Sequence, residues 1–127
     1  MALAVPNDLR YTKEHEWARV SGKTAVVGIT AFAVDQLGDV VFVELPKQGA
    51  TVEKGKPFGV VESTKAVSDL FSPVDGTVTK INQALVDAPD QVNADPYAAW
   101  MIEIEVSDEK VFAELLSAAQ YTELTKG

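Results

Sequence analysis

The sequence predicts a mainly β fold of the sandwich or barrel kind, with a short helix near 31–37 and a C-terminal helix near 108–120. Three observations carry this. Short apolar runs rich in β-branched residues recur at close spacing between Gly, Pro and Asp turns. A brief helical signal interrupts them between Thr30 and Gly38. Only the last segment changes period, placing Val111, Phe112, Leu115, Leu116 and Ala119 on one stripe.

Each element has a local reason. Trp17 to Val20 and Thr24 to Thr30 are extended and flank the turn Ser21-Gly22-Lys23, which predicts a hairpin. Thr30 is a good N-cap for a helix over Ala31 to Leu37, with Val34 and Leu37 on one face, and Gly38 ends it. Asp39 to Leu45 holds the unbroken run Val40-Val41-Phe42-Val43, which reads as a strand buried on both faces. Lys47 to Lys56 is a polar loop. Phe58 to Glu62 and Val67 to Phe71 are strands interrupted by Ser63-Thr64-Lys65-Ala66, and Ser72-Pro73-Val74-Asp75-Gly76 turns the chain into a strand over Thr77 to Asn82. Ala84 to Pro96 is a Pro- and Asp-rich connection. Trp100 to Val106 alternates as a half-buried strand. Ser107 then caps the final helix, with Asp108 and Glu109 in its first turn.

A chain of 127 residues, 46% apolar and 24% charged, fits one domain with its own core. The expected division is a β core over about 9–106 and the C-terminal helix over 107–121. No apolar run approaches the roughly 18 residues that span a membrane. Met1 to Asp8 carries neither a basic region with an apolar run nor an Arg-rich bias. The expectation is a cytoplasmic protein of bacterial type, with a mature mitochondrial form as the alternative. A formal charge of −8, from 19 acids and 11 bases, disfavours nucleic acid. It suits docking to basic faces of partner proteins, and equally serves solubility alone.

Enzymatic sites are hard to build from these residues. There is no cysteine, so any thiol or redox chemistry must come from an attached group. The single histidine, His15, excludes a multi-histidine zinc site, and a serine hydrolase would need a histidine base and a nucleophile elbow that Gly28-Ile29-Thr30 does not form. Gly55-Lys56 lacks the rest of a P-loop. Glu103 and Glu105 read as solvated carboxylates on the outer face of a strand.

Lys65 stands apart. It lies between two strand-like segments with small or β-branched neighbours, where its amine is open to acylation and its stem becomes a flexible tether. Such a tether keeps a cargo at high effective concentration near several active sites. An ordinary exposed turn lysine has the same local pattern. A faint internal repeat supports the hairpin: Gly38-Asp39-Val40 matches Gly76-Thr77-Val78, and Val52, Pro57 and Phe58 match Val92, Pro96 and Tyr97. Two β-units related by a pseudo-twofold axis would leave Glu62 to Phe71 projecting with Lys65 at its tip. Chance likeness among β-strands is the competing reading.

The words around Lys65 resemble the glycine cleavage H-protein family. They begin with Tyr11-Thr12 and His15-Glu16-Trp17 and continue through Gly28-Ile29-Thr30 and Leu37-Gly38-Asp39-Val40-Val41-Phe42-Val43-Glu44-Leu45-Pro46. Phe58-Gly59-Val60-Val61-Glu62-Ser63-Thr64-Lys65-Ala66-Val67-Ser68-Asp69-Leu70 follows, then Ser72-Pro73-Val74-Asp75-Gly76, Ile81-Asn82-Gln83-Ala84-Leu85, Val92-Asn93-Ala94-Asp95-Pro96-Tyr97 and Trp100-Met101-Ile102. Nearly the whole chain is covered in order.

The resemblance implies a barrel-sandwich hybrid like the lipoyl and biotinyl carriers, and (R)-lipoate in amide linkage on Lys65 within the attachment motif Glu62, Ser63, Thr64 and Ala66. It implies a carrier rather than an enzyme. The aminomethyl group of glycine would pass from a pyridoxal-phosphate glycine decarboxylase (P-protein) to a folate-dependent aminomethyltransferase (T-protein), and dihydrolipoyl dehydrogenase (L-protein) would reoxidise the arm. A lipoyl or octanoyl ligase or transferase would load it. Neither nucleic acid nor membrane is an expected partner, and no metal is expected. By position, Glu16, Gln36 and Asp69 would line a cleft for the loaded arm, with a carboxylate pairing the cargo's protonated amine.

Two departures stand out. Some relatives have histidine where this chain has Gln36. Only Ala98-Ala99 separate Tyr97 from Trp100, where the family usually has a longer, Gly-containing turn, so this turn should be tighter. Thr64 and Ala66 flank Lys65, unlike the Asp of 2-oxo acid dehydrogenase lipoyl domains or the Met pair of biotin carriers. A lipoyl donor or relay for another redox or 2-oxo acid dehydrogenase system is the alternative role.

Overall fold

Alternating burial along short strands builds two antiparallel sheets around one core. The computed structural model describes residues 4–125. In the larger sheet the order is β1 (Arg10–Tyr11), β2 (Glu16–Ser21), β3 (Thr24–Ile29), β9 (Ile102–Glu105), β8 (Gly76–Ile81) and β5 (Thr51–Val52). The smaller sheet orders β4 (Val40–Glu44), β6 (Pro57–Ser63) and β7 (Val67–Phe71). Ala18, Val27 and Ile104 from the first meet Val43, Val61 and Leu70 from the second in the main core. A second cluster lies on the other side of the large sheet, where Trp17 and Tyr11 pack with Tyr121 and Ala118.

The predicted hairpin is β2–β3, paired from Glu16↔Ile29 to Ser21↔Thr24. The short helix is α1 (Ala31–Leu37): the Thr30 hydroxyl accepts from the Ala33 N–H at 3.2 Å, and the Gly38 N–H donates to the Val34 carbonyl at 2.9 Å. Gly38 adopts φ +80°, which only glycine takes without strain.

Two expectations need correction. The run Val40-Val41-Phe42-Val43 is not buried on both faces, because Val41 and Phe42 are 54% and 43% exposed. A β-bulge opposes both to one position of β6, so two successive side chains leave the core. The Pro- and Asp-rich connection before β9 also holds α2 (Gln83–Asp87) and α3 (Gln91–Ala94). The C-terminal helix is split. Asp108, not Ser107, caps a 3-10 helix over Glu109–Glu114, accepting from the Lys110 N–H. Leu115 is then extended and α4 (Ala118–Thr125) begins afresh. The cause is long-range: Leu116 exchanges both backbone hydrogen bonds with Tyr11, at 2.8 Å each, which pulls the chain straight. Tyr121, outside the expected stripe, anchors α4 by stacking on Tyr11 at 4.7 Å, whereas Ala119 is exposed.

The repeat has a structural counterpart. β4 pairs with β6 as β8 pairs with β9, both antiparallel. Where β5 pairs Val52 with Gly76, the corresponding contact on the other side is made by one side chain: Asn93 Nδ2 donates to the Gly38 carbonyl and Asn93 Oδ1 accepts from the Val40 N–H, each at 2.8 Å.

Candidate functional site

The tip of the β6–β7 hairpin is built by Ser63. Its N–H donates to the Ala66 carbonyl at 2.8 Å, and its buried hydroxyl oxygen accepts from the Lys65 and Ala66 N–H groups at 3.3 and 3.0 Å. That leaves Thr64 and Lys65 as the two outermost residues, both exposed. The Thr64 N–H donates to the Asp39 carbonyl at 3.0 Å, tying the tip to the segment that Asn93 clamps. The Lys65 stem runs over Gly38, with Cε 3.4 Å from where a Cβ on that glycine would lie. Glu62 pairs with Val67 at the base of the tip and is half-buried, while Ala66 is exposed.

Glu16, expected at the cleft, is only 2% exposed and joins the two sheets. Its Oε1 accepts from the Thr12 hydroxyl at 2.5 Å, and its Oε2 accepts from the Phe71 N–H of β7 at 3.3 Å. Burial pushes the carboxyl up to about 7, against the opposing pull of the Thr12 and Phe71 hydrogen bonds; the charge of Glu14 adds a smaller upward push. Beside it opens a cleft of about 390 Å³ walled by Tyr11, Thr12, Phe71, Ser72 and Leu115, with the Lys54–Glu114 ion pair among its lining residues.

Gln36 and Asp69 do not line this cleft. Gln36 is exposed near the end of α1, and Asp69 is exposed on β7. Alternation puts Val67, Asp69 and Phe71 on one face of β7, running from the tip toward Glu16. Thr12 and Asn93 are the residues that sequence reading missed. Both lie in recognised words, but their roles depend on contacts across the fold, with Glu16 for one and with Gly38 and Val40 for the other.

His15 supports the same corner. It holds φ +71°, a region that histidine enters more readily than most residues. Its Nδ1 lies 2.7 Å from the Tyr121 hydroxyl, which is also 2.7 Å from the Thr30 hydroxyl. Burial lowers its pKa. Nearby, Asp95 Oδ1 accepts from the Tyr97 and Ala98 N–H groups, closing the short turn before Trp100. The Tyr97 hydroxyl accepts from the Ala31 N–H and donates to the Ala4 carbonyl.

A two-sheet β fold with a lysine held at an exposed, hydrogen-bonded hairpin tip is the architecture of the lipoyl-carrier class of domains. The comparisons with known proteins narrow this. A family model described as "Glycine cleavage H-protein" matches residues 9–127. The chain is 59% identical over 125 residues to the glycine cleavage system H protein of Myxococcus xanthus, covering 98% of this chain and 97% of that one. It is 51% identical over 124 residues to the protein of that name from Bacillus cereus, covering 97% and 98%. The crystal structure of a glycine cleavage system H protein from Mycobacterium marinum superposes with a TM-score of 0.86 at 41% identity, covering 94% and 97%. The chain belongs to the glycine cleavage H-protein family.

Proposed function

We propose that this chain, acting as a single carrier domain, bears (R)-lipoate in amide linkage on Lys65 and is the non-catalytic carrier of the glycine cleavage system. The presentation of Lys65 at the tip carries the reading. The residue is exposed, its neighbours Thr64 and Ala66 are small, and none of the ion pairs found among the described residues involves it. These features fit an acylated lysine. When bound, the lipoyl group supplies the sulfur chemistry that a chain without cysteine lacks. The chain presents it in turn to glycine decarboxylase, the source of the aminomethyl group of glycine, to aminomethyltransferase and to dihydrolipoyl dehydrogenase.

The chain's own residues hold and shield. Ser63 and the Thr64–Asp39 hydrogen bond fix the direction in which Lys65 leaves the sheet. Glu16 sits against the cleft as a carboxyl that ionises near neutral pH, so a protonated cargo amine would draw it into the charged form and pair with it. Thr12 holds Glu16 in place, while Asp69, on the face of β7 that runs from the tip toward Glu16, and Gln36 lie outside the cleft lining and would be polar contacts only along the arm's path to it.

The test is intact mass with peptide mapping on protein from lipoate-competent cells, beside Lys65→Arg. A lipoyl-sized increment on the Lys65 peptide, absent from the control, is expected. No increment with a ligase and lipoate supplied would overturn the carrier reading. Faster release of ammonia from the loaded form of Glu16→Gln or Asp69→Asn is expected. Unchanged rates in both would remove the cleft from the scheme.

A further inference from the structure

The outer face of the three-stranded sheet, beside Lys65, is unlike the rest of the surface. In register, Phe42, Glu62 and Val67 form one row across β4, β6 and β7, and Glu44, Val60 and Asp69 form the next. Val41 joins them because the bulge turns it outward. Val41, Phe42 and Val67 are 54%, 43% and 66% exposed, and they are three of the five large apolar side chains found exposed among the described residues. The charged positions of these rows, Glu44, Glu62 and Asp69, are all acidic, and none takes part in the ion pairs found among the described residues. Bare apolar surface rimmed by charge of one sign marks a docking site, and the sign calls for a basic partner.

We propose that this face docks the enzyme that acylates Lys65, through an apolar centre on Val41 and Phe42 and a basic rim facing Glu44 and Glu62. The inference rests on the carrier reading. Reach selects this partner. An unmodified lysine extends only about 6 Å from its Cα, so an enzyme acting on the bare amine must cover the residues flanking the tip. Enzymes that receive cargo on the longer, acylated arm can dock further away. In the acylation the Lys65 amine, as free base, attacks the acyl carbon of an acyl adenylate. The amide C–N bond forms as the bond from that carbon to the phosphate oxygen breaks, AMP leaves, and the amine's proton passes to solvent.

The face is tested by steady-state acylation of the full chain, with an ATP-dependent lipoate–protein ligase, lipoate and ATP as the probe system. Val41→Ser with Phe42→Ser should raise KM for the chain at least tenfold, with kcat within threefold. Val20→Ser, an exposed apolar residue of the other sheet, should leave both unchanged. Glu44→Lys should also raise KM, and the wild-type KM should climb with added NaCl as the charges are screened. Glu44→Lys alters one exposed side chain, so it tests the face even if the double variant fails to fold. Acylation of wild type at Lys65, with unchanged KM in the Val41/Phe42 and Glu44 variants, would overturn the docking face alone. Failure to acylate wild type would overturn the carrier reading instead. If, once loaded by prolonged incubation, the double variant lost turnover with glycine decarboxylase while its acylation KM stayed normal, the face would belong to a cargo enzyme and the proposal would fall.

Discussion

The indole of Trp17 lies across Gly28, its partner in the β2–β3 register, so closely that a Cβ on Gly28 would meet Trp17 Cζ2 at 2.6 Å. Trp17 is fully buried, its Nε1 donates to the Pro96 carbonyl at 3.0 Å, and Arg19 stacks over its ring at 5.0 Å. The indole is therefore pinned on several sides and cannot slide away freely. Gly28→Ala should destabilise the chain by about 2 kcal/mol through overpacking. Urea unfolding followed by tryptophan fluorescence checks this. An unchanged midpoint would mean that the sheet absorbs a methyl group there.

Asn93 substitutes for a strand beside Gly38 and Val40, giving one hydrogen bond and taking one. Replacing it separates the two. Asn93→Ala loses both, whereas Asn93→Asp still accepts from the Val40 N–H but sets a carboxylate against the Gly38 carbonyl. Both should cost about 1–2 kcal/mol. In hydrogen exchange the Val40 amide should lose protection in Asn93→Ala and keep most of it in Asn93→Asp. Equal protection in the two would show that the amide side chain is not what holds that N–H.

Ser63 shapes the tip with a single oxygen that serves the Lys65 and Ala66 amides. Ser63→Ala should cost about 1 kcal/mol overall, since exposed turn amides regain water. Its signature is local. Exchange at Lys65 and Ala66 should quicken while the Val61 and Leu70 amides in the core strands stay as slow as in wild type. Uniform quickening across β6 and β7 would assign Ser63 to general stability rather than to the tip.

What was legible in the sequence was local. Thr30 and Gly38 mark the two ends of α1 because caps act within four residues, and the turns at Gly22 and Ser63 separate strands for the same reason. The failures trace to distant partners. Val41 and Phe42 are apolar and β-prone, so nothing along the chain distinguishes them from Val40 and Val43; the bulge against β6 does. The C-terminal stripe had helical spacing, but its pairing with Tyr11 breaks the helix at Leu115. The helices α2 and α3, at five and four residues, are too short to show a period. For the site, Lys65 at a turn was readable from its neighbours. The burial of Glu16 was not, because the residue that covers its second oxygen, Phe71, lies 55 positions away.

That burial gives the chain a pH dependence whose sign is fixed. Glu16 ionises near 7 in the folded chain against 4.5 for the free side chain, so between those values the folded state holds a proton that the unfolded state has lost. Stability therefore falls as pH rises from about 4.5 to about 7, and the full penalty, on the order of 3 kcal/mol for this group, persists above that window. Glutamine removes the charge and keeps the shape: its Oε1 can accept from the Phe71 N–H while its Nε2 donates to the rotatable Thr12 hydroxyl. Glu16→Gln should thus be more stable than wild type at pH 8, by about 1–3 kcal/mol, and close to it at pH 4.5. His15 titrates in the opposite sense. Its lowered pKa means that the fold favours the neutral ring, so it weakens both proteins alike as pH falls below 6.5 and cancels in the difference. Urea midpoints of the two proteins at pH 4.5, 6 and 8 check the prediction. A constant gap across that range would mean that Glu16 keeps an ordinary carboxyl pKa in the fold.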